Sequence, residues 1–320
     1  MNAATEHFLV VVTPVYEDVE ACSRLFRELA TVVGKKTYVV AVDDGSIGQP
    51  LAVEHISAAG LNGVVIKLKR NLGHQRAIAV GLGYVADHLP NAERVVVMDS
   101  DGEDRPSSIA ELVAALDSTD ADIAVASRKS RFETLRFRTF YVVYKWLFRI
   151  LTGRDIGFGN FMALKPAAII RLLTMQELGI HVAACVLYSK LRVMVCPLDR
   201  GARYAGHSKM NFVGLALHGF RGLMVFTEDV LVRVGIACAL VAALSVASSF
   251  VAIVLKLLNF ATPGWFSIAL GILFLVFLQT GTPTLMTLML TGVIRSNSLT
   301  PIDYHRLIDR VMHASETQAS

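Results

Sequence analysis

The sequence predicts an α/β domain built on a mostly parallel sheet, followed by interfacial helices and two transmembrane helices. Two observations carry this prediction. From residue 8 onward, short apolar runs alternate with segments of helical periodicity, as in sheets whose two faces are covered by helices. Residues 234–294 then hold a single charged side chain, Lys256, although 18% of the whole chain is charged and 53% is hydrophobic.

Five apolar runs are interpreted as buried strands because they are short and rich in β-branched residues. They lie at residues 8–12, 37–42, 63–68, 94–98 and 123–126. The segments between them have the apolar periodicity of helices. These helices are expected at residues 19–33, 48–59, 74–88 and 107–117. Ligands of open α/β sheets bind beside the carboxyl ends of the strands, so chemistry is expected in the polar loops after these runs.

The nearly uncharged stretch is long enough for two spans, because about 20 apolar residues cross a bilayer core. Arginines precede and follow it while the loop between the spans is uncharged, so both ends are predicted to be cytoplasmic. We therefore expect an integral protein of the cytoplasmic membrane. Its predicted parts are a cytoplasmic domain at 1–205, a juxtamembrane amphipathic segment at 206–229, two transmembrane helices within 230–295 and a cytoplasmic tail at 296–320.

A helix at about residues 134–151 is predicted to lie at the membrane surface. Its residues Arg138, Lys145 and Arg149 share one face, while apolar residues cluster on the opposite face and aromatic residues are frequent. A core-packed helix with a solvated face is the alternative interpretation. The segment 212–226 is a second candidate of the same kind and would lead into the first span.

Charge and cysteine content favour some classes of protein over others. The formal net charge of +4 would suit nucleic acid as well as an anionic membrane surface, and the two spans favour the membrane. The four cysteines have no CxxC spacing, so neither a zinc site nor a disulfide framework is expected. The oligomeric state stays open, and a homo-oligomer is one alternative.

The strongest chemical signal is the triplet Asp99, Ser100, Asp101, which directly follows the predicted strand at 94–98. Two carboxylates this close in a loop can hold Mg²⁺ or Mn²⁺, which prefer oxygen ligands shared with substrate phosphates. A nucleotide diphosphate requires such a cation. Asp43 and Asp44 follow the strand at 37–42 in the same way, where turn chemistry alone is the alternative interpretation.

These polar groups occur in a particular order along the chain. They are Thr13-Pro14-Val15-Tyr16 after the first strand, Val42-Asp43-Asp44-Gly45-Ser46 after the second, Asn71-Leu72-Gly73 after the third and Met98-Asp99-Ser100-Asp101 after the fourth. The combination resembles the inverting GT-A glycosyltransferases of family 2. With two C-terminal spans, it resembles more narrowly the polyprenyl-phosphate glycosyltransferases, the group of dolichol-phosphate mannose synthase and undecaprenyl-phosphate glucosyltransferases. The resemblance covers roughly residues 8–295.

The resemblance implies a GT-A catalytic domain, Rossmann-like with a mostly parallel sheet. It implies inverting transfer of a hexose from a nucleotide sugar, with a UDP-sugar as the expected donor, to undecaprenyl phosphate or a similar polyprenyl phosphate. Asp99 and Asp101 would hold Mg²⁺ or Mn²⁺, and Asp104 would lie near the donor sugar. The residues expected to bind the nucleotide sugar are Pro14, Tyr16, Asp43, Asp44, Asn71, Asp99 and Ser100. Those expected to be catalytic are Asp101, Asp104 and Arg128.

Cationic side chains are needed to hold an anionic lipid phosphate beside the donor. Arg128 and Arg131 follow the fifth strand, and an arginine offers a two-pronged hydrogen-bonding group to phosphate. The resemblance places Arg203, Ser208 and Lys209 at the acceptor phosphate as well.

Three segments depart from the pattern of the relatives. Asn160 stands where they have an acidic residue, Glu17 and Asp18 stand where they have Asn-Glu, and Gly102 and Glu103 stand where they have Leu-Gln. An amide cannot serve as a general base, which suits a phosphate acceptor because that acceptor needs none.

Other interpretations remain at this point. A processive polysaccharide synthase shares the acidic motifs but carries a Gln-x-x-Arg-Trp element, and neither Trp146 nor Trp265 lies in that context. A non-catalytic, membrane-anchored nucleotide-binding scaffold has no need for a full set of donor and acceptor residues. A dinucleotide-binding dehydrogenase is disfavoured because no GxGxxG motif follows a strand.

Overall fold

The computed structural model of the chain describes residues 8–128, 135–204, 212–260, 262, 264–297 and 303–314. The strands are β1 (Leu9–Val15), β2 (Tyr38–Asp43), β3 (Asn62–Leu68), β4 (Arg94–Val97), β5 (Ile123–Arg128), β6 (Phe158–Leu164), β7 (Val193–Leu198) and β8 (Ile308–Ala314). The helices are α1 (Val19–Val32), α2 (Glu54–Ala58), α3 (His74–His88), α4 (Ile109–Asp117), α5 (Leu135–Thr152), α6 (Pro166–Leu173), α7 (Val182–Tyr188), α8 (Phe212–Met224), α9 (Thr227–Leu257) and α10 (Trp265–Asn297). Three short 3₁₀ segments complete the set, at Pro106–Ser108, Gln176–Gly179 and Tyr304–Leu307.

The strands of the described residues form one mixed sheet in the order β7-β5-β6-β4-β1-β2-β3-β8. Its centre is parallel, with β4, β1, β2 and β3 side by side. Central parallel strands are covered on both faces, which explains their near-continuous valine runs. Along β1, Val10 and Val12 pack with α3 on one face and Val11 packs with α1 on the other. The predicted α/β class with a mostly parallel sheet is confirmed.

The predicted helix at 48–59 is wrong in its first half, because α2 begins only at Glu54. Backbone N–H groups in residues 46–51 donate to the carboxylates of Glu17 and Asp43, which lie outside this segment. Side-chain acceptors therefore compete with the helix for these amides. Helical periodicity in the sequence does not reveal such acceptors.

β6 lies between β4 and β5 and is antiparallel to both. The sequence analysis did not predict it. Because β6 runs against β4, its amino end lies at the same edge of the sheet as the carboxyl ends of the parallel strands. Asn160, near the start of β6, is therefore brought to the edge where ligands are expected.

The predicted cytoplasmic tail at 296–320 is wrong for residues 304–314, which belong to the sheet domain. β8 pairs antiparallel with β3, from Gly63 opposite Ala314 to Leu68 opposite Ile308. The Tyr304 ring packs over Gly83 of α3, where an added Cβ would lie 2.6 Å from the ring. β8 gives partners to the backbone groups that β3 would otherwise expose as an edge strand. The chain thus returns to the sheet after α10.

We expect a chain that ends at residue 302 to lose protection along β3. Removal of β8 makes β3 an edge strand, so those of its amides that bond to β8 become open to solvent. Hydrogen exchange measured by mass spectrometry should show these amides exchanging at least about tenfold faster, a loss of about 1.4 kcal/mol of protection. The amides of β1, in the middle of the sheet, serve as the internal control and should keep their rates. Unchanged exchange in β3 would contradict this role of β8.

Contacts divide the chain into two compact units, one of Met1–Val142, Asp155–Val225 and Pro301–Ser320 and the other of Val143–Arg154 and Phe226–Thr300. In the second unit α9 packs along α10. Helix α9 and residues Trp265–Leu290 of α10 are long and apolar enough to cross a membrane. Large apolar side chains such as Leu244, Phe250 and Met289 are 67%, 67% and 76% exposed. A helix that is apolar on all sides needs an apolar environment around it.

The second half of α5 belongs to this helical unit. Phe148 is buried and meets the Phe226 ring edge-on, with 5.6 Å between the ring centroids. Val143, Trp146 and Ile150 are exposed and recur at three- and four-residue intervals, so they share one helix face. In the second half of α5, one face therefore packs in its unit and an apolar face is exposed.

His181, at the start of α7, and His218 of α8 form a pair of tilted rings, with 4.4 Å between the ring centroids and 36° between the ring planes. The backbone N–H of Ala184 donates to Nδ1 of His181, which caps α7. Burial, together with the charges of His218, Arg221 and His74, lowers the pKa of His181 to about 3. Burial lowers the pKa of His218 as well. Both rings are therefore held neutral at ordinary pH.

We expect stability to fall as the pH drops below about 6.5. An unfolded histidine has a pKa of about 6.5, so protonation below that value favours the unfolded chain over the fold with neutral His181. The contribution of neutral His181 to the free energy of unfolding is complete above pH 6.5 and declines as the pH falls toward 3. At pH 5 the free energy of unfolding is lower by about 2 kcal/mol. His181→Asn keeps a capping group but cannot titrate.

Urea unfolding at pH 7.5 and pH 5 measures this difference. Between pH 7.5 and pH 5, the free energy of unfolding should fall about 2 kcal/mol more in wild type than in His181→Asn. The lowered pKa of His218 contributes equally in the two proteins and so does not affect this difference. Equal losses in the two proteins would show that His181 does not control the pH dependence.

Candidate active site

The loops that follow β1, β2, β3 and β4 meet at one edge of the sheet because these strands are parallel neighbours. β5 points the same way, since two antiparallel pairings separate it from β4. The fold therefore brings to one edge all the residues predicted to bind the donor, to hold the metal ion or to be catalytic, and one of them, Arg128, is also a predicted acceptor residue. They are Pro14, Tyr16, Asp43, Asp44, Asn71, Asp99, Ser100, Asp101, Asp104 and Arg128.

An acidic loop follows β4. Asp99 donates its backbone N–H to Oδ2 of Asp104 over 2.9 Å, and Glu103 donates its own to Oδ1 of Asp101 over 3.0 Å. Burial and the negative charge of Asp99 raise the pKa of Asp101 above its ordinary value, and the nearby arginines offset this only in part. The loop thus concentrates negative charge in a half-buried place, which a cation would stabilise.

Two arginines pair with this acidic loop. The Arg203 guanidinium lies 2.9 Å from Oδ2 of Asp101 and 3.1 Å from Oε1 of Glu103. Arg200 pairs with the other oxygen of Glu103. Arg203 was expected at the acceptor phosphate, whereas its contacts in the structure are with the predicted metal-binding loop. Arg200 was not predicted as a site residue. The one feature of the sequence that could have indicated it is its position three residues before Arg203.

Backbone contacts hold the segment 200–204 against the same loop. Gly201 donates its N–H to the carbonyl of Glu103 over 2.8 Å, and Tyr204 donates to the carbonyl of Asp101 over 2.9 Å. Gly102 has a positive φ of 87°, and an added Cβ would lie 2.6 Å from the Tyr204 ring. Glycine is therefore required at the turn between the two acidic residues.

Asp43 and Asp44 are buried, and both are bound by backbone amides. Asp43 accepts from the N–H of Ser46 at 2.8 Å and of Leu51 at 3.0 Å. Asp44 accepts from the N–H groups of Leu72 and Gly73, at 2.7 and 2.9 Å. Burial raises the pKa of Asp44, and these two bonds counteract the rise. The pair thus fixes the loops after β2 and β3.

Glu17 has a role that the sequence analysis did not predict. Its carboxylate accepts from the backbone N–H groups of Ile47, Gly48 and Gln49, at 2.6, 3.0 and 2.6 Å. Glu17 itself has a positive φ of 48° and donates its N–H to Oγ of Ser46. Glu17 is one of the positions that depart from the family pattern, and its carboxylate connects the loop after β1 to the loop after β2.

His74 is a second residue that sequence reasoning missed. It begins α3, directly after the Asn71-Leu72-Gly73 motif, and that position was the only signal. Its Nε2 lies 3.1 Å from Oδ1 of Asp99. Burial would lower the pKa of His74, but Asp99, with Asp104 and Asp101, outweighs this and raises it. His74 thus belongs to the acidic site.

The remaining predicted donor residues differ in exposure. Pro14 is the last residue but one of β1 and lies opposite Val42, beyond the part of β1 that pairs with β4. Tyr16 is 46% exposed and Asn71 is exposed, so a ligand could reach both. Ser100 is 8% exposed. The structure leaves their donor-binding roles as predictions.

The predicted acceptor residues are described only in part. Arg128 ends β5 opposite Leu198, at the edge where the site lies. Arg131, Ser208 and Lys209 lie outside the described residues.

The residues present fit a divalent cation bound together with a substrate. Among the described residues, no group of three or more His, Cys, Asp or Glu side chains is placed to hold a metal by itself. Mg²⁺ in nucleotide enzymes is held by one or two carboxylates and completed by substrate phosphates and water. Asp99 and Asp101 match that arrangement. The pKa of Asp101 is raised because burial and Asp99 disfavour its ionised form, and a bound cation would stabilise that form.

Solved structures with a similar fold include glucosyl-3-phosphoglycerate synthase from Mycobacterium tuberculosis, determined with Mn²⁺, UDP-glucose and phosphoglyceric acid. It is 16% identical, with a TM-score of 0.50 over 71% of this chain and 79% of that one. A mycobacterial protein gives 15% identity and a TM-score of 0.50 over 70% of this chain and 74% of that one. S. aureus TarS gives 18% identity and a TM-score of 0.46, and this chain, matched over 71%, spans only 39% of its length.

A family model supplies the stronger finding. The model for glycosyl transferase family 2 matches residues 10–187, more than half of the chain. That range contains β1, except for its first residue, β2 to β6 and the acidic loop after β4. The chain therefore belongs to glycosyl transferase family 2, and its sheet domain is a GT-A glycosyltransferase domain.

Proposed function

We propose that the chain transfers one hexose, with inversion, from a nucleotide sugar to a polyprenyl phosphate at the cytoplasmic face of a membrane. The observation that carries this proposal is the path of the chain. It leaves the glycosyltransferase domain at α8, forms two apolar helices and returns to the same sheet as β8. In such a chain the catalytic domain is connected to the two membrane helices at both ends of the pair. This arrangement suits an acceptor whose polar end lies at the bilayer surface.

On the donor side, Asp99 and Asp101 would hold Mg²⁺ or Mn²⁺. When bound, the cation supplies positive charge that neutralises the leaving diphosphate. A UDP-sugar is the proposed donor, and this is supported by the similar fold that was determined with Mn²⁺ and UDP-glucose. Arg203 and Arg200, already paired with the acidic loop, are close enough to that site to add positive charge beside the diphosphate.

On the acceptor side, the chemistry requires little proton transfer. The second pKa of a phosphate monoester is about 6, so the attacking oxygen is already an anion near pH 7. Asn160 at the start of β6 cannot act as a base, which agrees with such an acceptor. The proposed task of Arg128 and Arg131, and of Ser208 and Lys209, is to hold that phosphate against the repulsion of the donor.

The membrane placement is also part of the proposal. It is supported by the exposed apolar surfaces of α9 and α10 and by the exposed Trp146 on α5. Tryptophan is favoured at the level of the lipid headgroups. The same surfaces support the proposal of two transmembrane helices within 230–295, whereas the sheet domain includes β8 in addition to most of residues 1–205.

A comparison of acceptors tests the proposed class. The purified protein, with Mn²⁺ and a nucleotide sugar that it accepts, is offered undecaprenyl phosphate or undecaprenol. Sugar should transfer to the phosphate at least about 10²-fold faster, because the alcohol needs a base that Asn160 does not supply. Equal rates, or transfer to the alcohol alone, would overturn the polyprenyl-phosphate assignment.

A further inference from the structure

We infer that His74 is a positioning residue of the transfer site, which joins the carboxylate of Asp99 to the amide of Asn160. Its Nε2 lies 3.1 Å from Oδ1 of Asp99 and 3.0 Å from Nδ2 of Asn160. A carboxylate only accepts, so Nε2 bonds to Asp99 only when it carries the hydrogen, and the Asn160 amide can then share that hydrogen only through its oxygen, after a half-turn of the amide group. One ring thus contacts the loop after β4 and the start of β6.

The backbone before His74 is fixed by other residues. Asp44 accepts from the N–H groups of Leu72 and Gly73. Gly73 has a positive φ of 91° and precedes the first turn of α3. Because Asp44 sets this entry to the helix, the imidazole is presented to Asp99 from a rigid support. The buried Asp44 therefore acts on the acidic site through His74.

The contact limits the freedom of the Asp99 carboxylate. The 3.1 Å contact between Nε2 of His74 and Oδ1 of Asp99 restricts rotation of the carboxylate and so directs its other oxygen. Partners of this kind orient metal-ligating carboxylates, and their loss typically costs 10- to 100-fold in metal affinity or activity. The backbone of Asp99 is held separately, by the bond from its N–H to Asp104. His74 therefore acts on the side chain.

Asn160 connects His74 to the proposed acceptor side of the site. β6 is antiparallel to β4, and Asn160 lies near its first residue. The assignment of Asn160 to the acceptor side rests on the proposed function, whereas the contact with Asp99 does not. His74 joins the two sides without contacting a reacting atom, so we class it as positioning and not as catalytic.

Binding of UDP with Mn²⁺, measured by calorimetry on the purified full chain, tests the inference without any acceptor. His74→Ala should weaken binding about tenfold, while His74→Gln, whose longer amide can still donate to Asp99, should stay within about threefold of wild type. His88→Gln is the matched control, because His88 ends the same helix and stacks on Tyr84. It should bind like wild type. If His74→Ala does not fold, His74→Asn, whose amide is too short to reach Asp99, replaces it.

A double-mutant cycle separates positioning from a general structural effect. In the Asp99→Asn background, His74→Ala should weaken binding less than about twofold, since the carboxylate on which it acts is gone. The same tenfold loss in both backgrounds, or no loss in either, would overturn the inference. The proposed function fails in a different way, because a wild type that binds UDP with Mn²⁺ but glycosylates no polyprenyl phosphate leaves the role of His74 measurable.

Discussion

Asp101→Asn should lower kcat for sugar transfer about 10³-fold while the protein stays folded. The asparagine side chain keeps the size of Asp101 but not the charge that we propose as a ligand of the divalent cation. Without that charge the leaving diphosphate loses most of its electrostatic stabilisation. Initial rates with saturating donor and acceptor, at several Mn²⁺ concentrations, measure the effect.

The stability of the same variant distinguishes a lost ligand from a lost fold. Burial and the charge of Asp99 raise the pKa of Asp101, so its ionised form is disfavoured in the cation-free protein. Arg203 keeps Glu103 as a partner after the substitution. We therefore expect the cation-free variant to melt within about 2 °C of wild type, a change of less than about 1 kcal/mol.

Asp117→Asn is the matched control for Asp101→Asn. Asp117 pairs with Arg94, the first residue of β4, whereas Asp101 lies in the loop after the last residue of the same strand. This control should lose no more than about 1 kcal/mol of stability and keep its kcat. An Asp101→Asn protein with wild-type kcat would remove Asp101 from the metal site, and a large fall in kcat for Asp117→Asn would show that the effect is not specific to the site.

Gly45→Ala should lower the free energy of unfolding by about 3 kcal/mol, from a left-handed backbone and a steric clash together. Gly45 has a positive φ of 73°, and an added Cβ would lie 2.5 Å from the backbone carbon of Arg70. The loops after β2 and β3 must separate to admit the methyl group. That movement displaces Asp44 from Leu72 and Gly73, so kcat/KM should also fall about 10²-fold. Thermal melting should show a decrease of about 10 °C.

Gly34→Ala isolates the conformational part of this effect. Gly34 also has a positive φ, 112°, but no atom lies within 4 Å of the added Cβ. Its substitution should cost only about 1 kcal/mol and leave the transfer rate unchanged. If Gly45→Ala and Gly34→Ala melt at the same temperature, the close approach of the two loops is not what requires glycine at position 45.

Local patterns were sufficient to predict the centre of the sheet. The valine runs of β1, β2 and β4 are buried on both faces, so hydrophobic runs and strands coincide there. β6 was missed because its first residues include Gly159 and Asn160, which disfavour a strand. β8 was missed because a single short strand after two apolar helices has no neighbouring pattern, and its partner β3 lies far away in the sequence.

In the candidate site as well, features set by neighbouring residues could be predicted, whereas contacts between residues far apart in the sequence could not. Asp99 and Asp101 follow a buried strand, so the sequence alone placed them at a ligand-binding edge. The three amides that bind Glu17 belong to a loop thirty residues away, and the acidic partners of Arg203 lie about one hundred residues before it. Such pairings depend on how the strands are ordered in the sheet, which composition and periodicity do not encode.

One assay tests the central claim most directly. Membranes that contain the protein, or its Asp101→Asn variant, are incubated with Mn²⁺, polyprenyl phosphate and a panel of radiolabelled nucleotide sugars. We predict a butanol-extractable labelled lipid from at least one UDP-sugar with the wild type, loss of this product on chelation of the metal, and none above background with the variant. Absence of labelled lipid with every donor, or equal labelling by the variant, would contradict metal-dependent transfer of sugar to a membrane lipid.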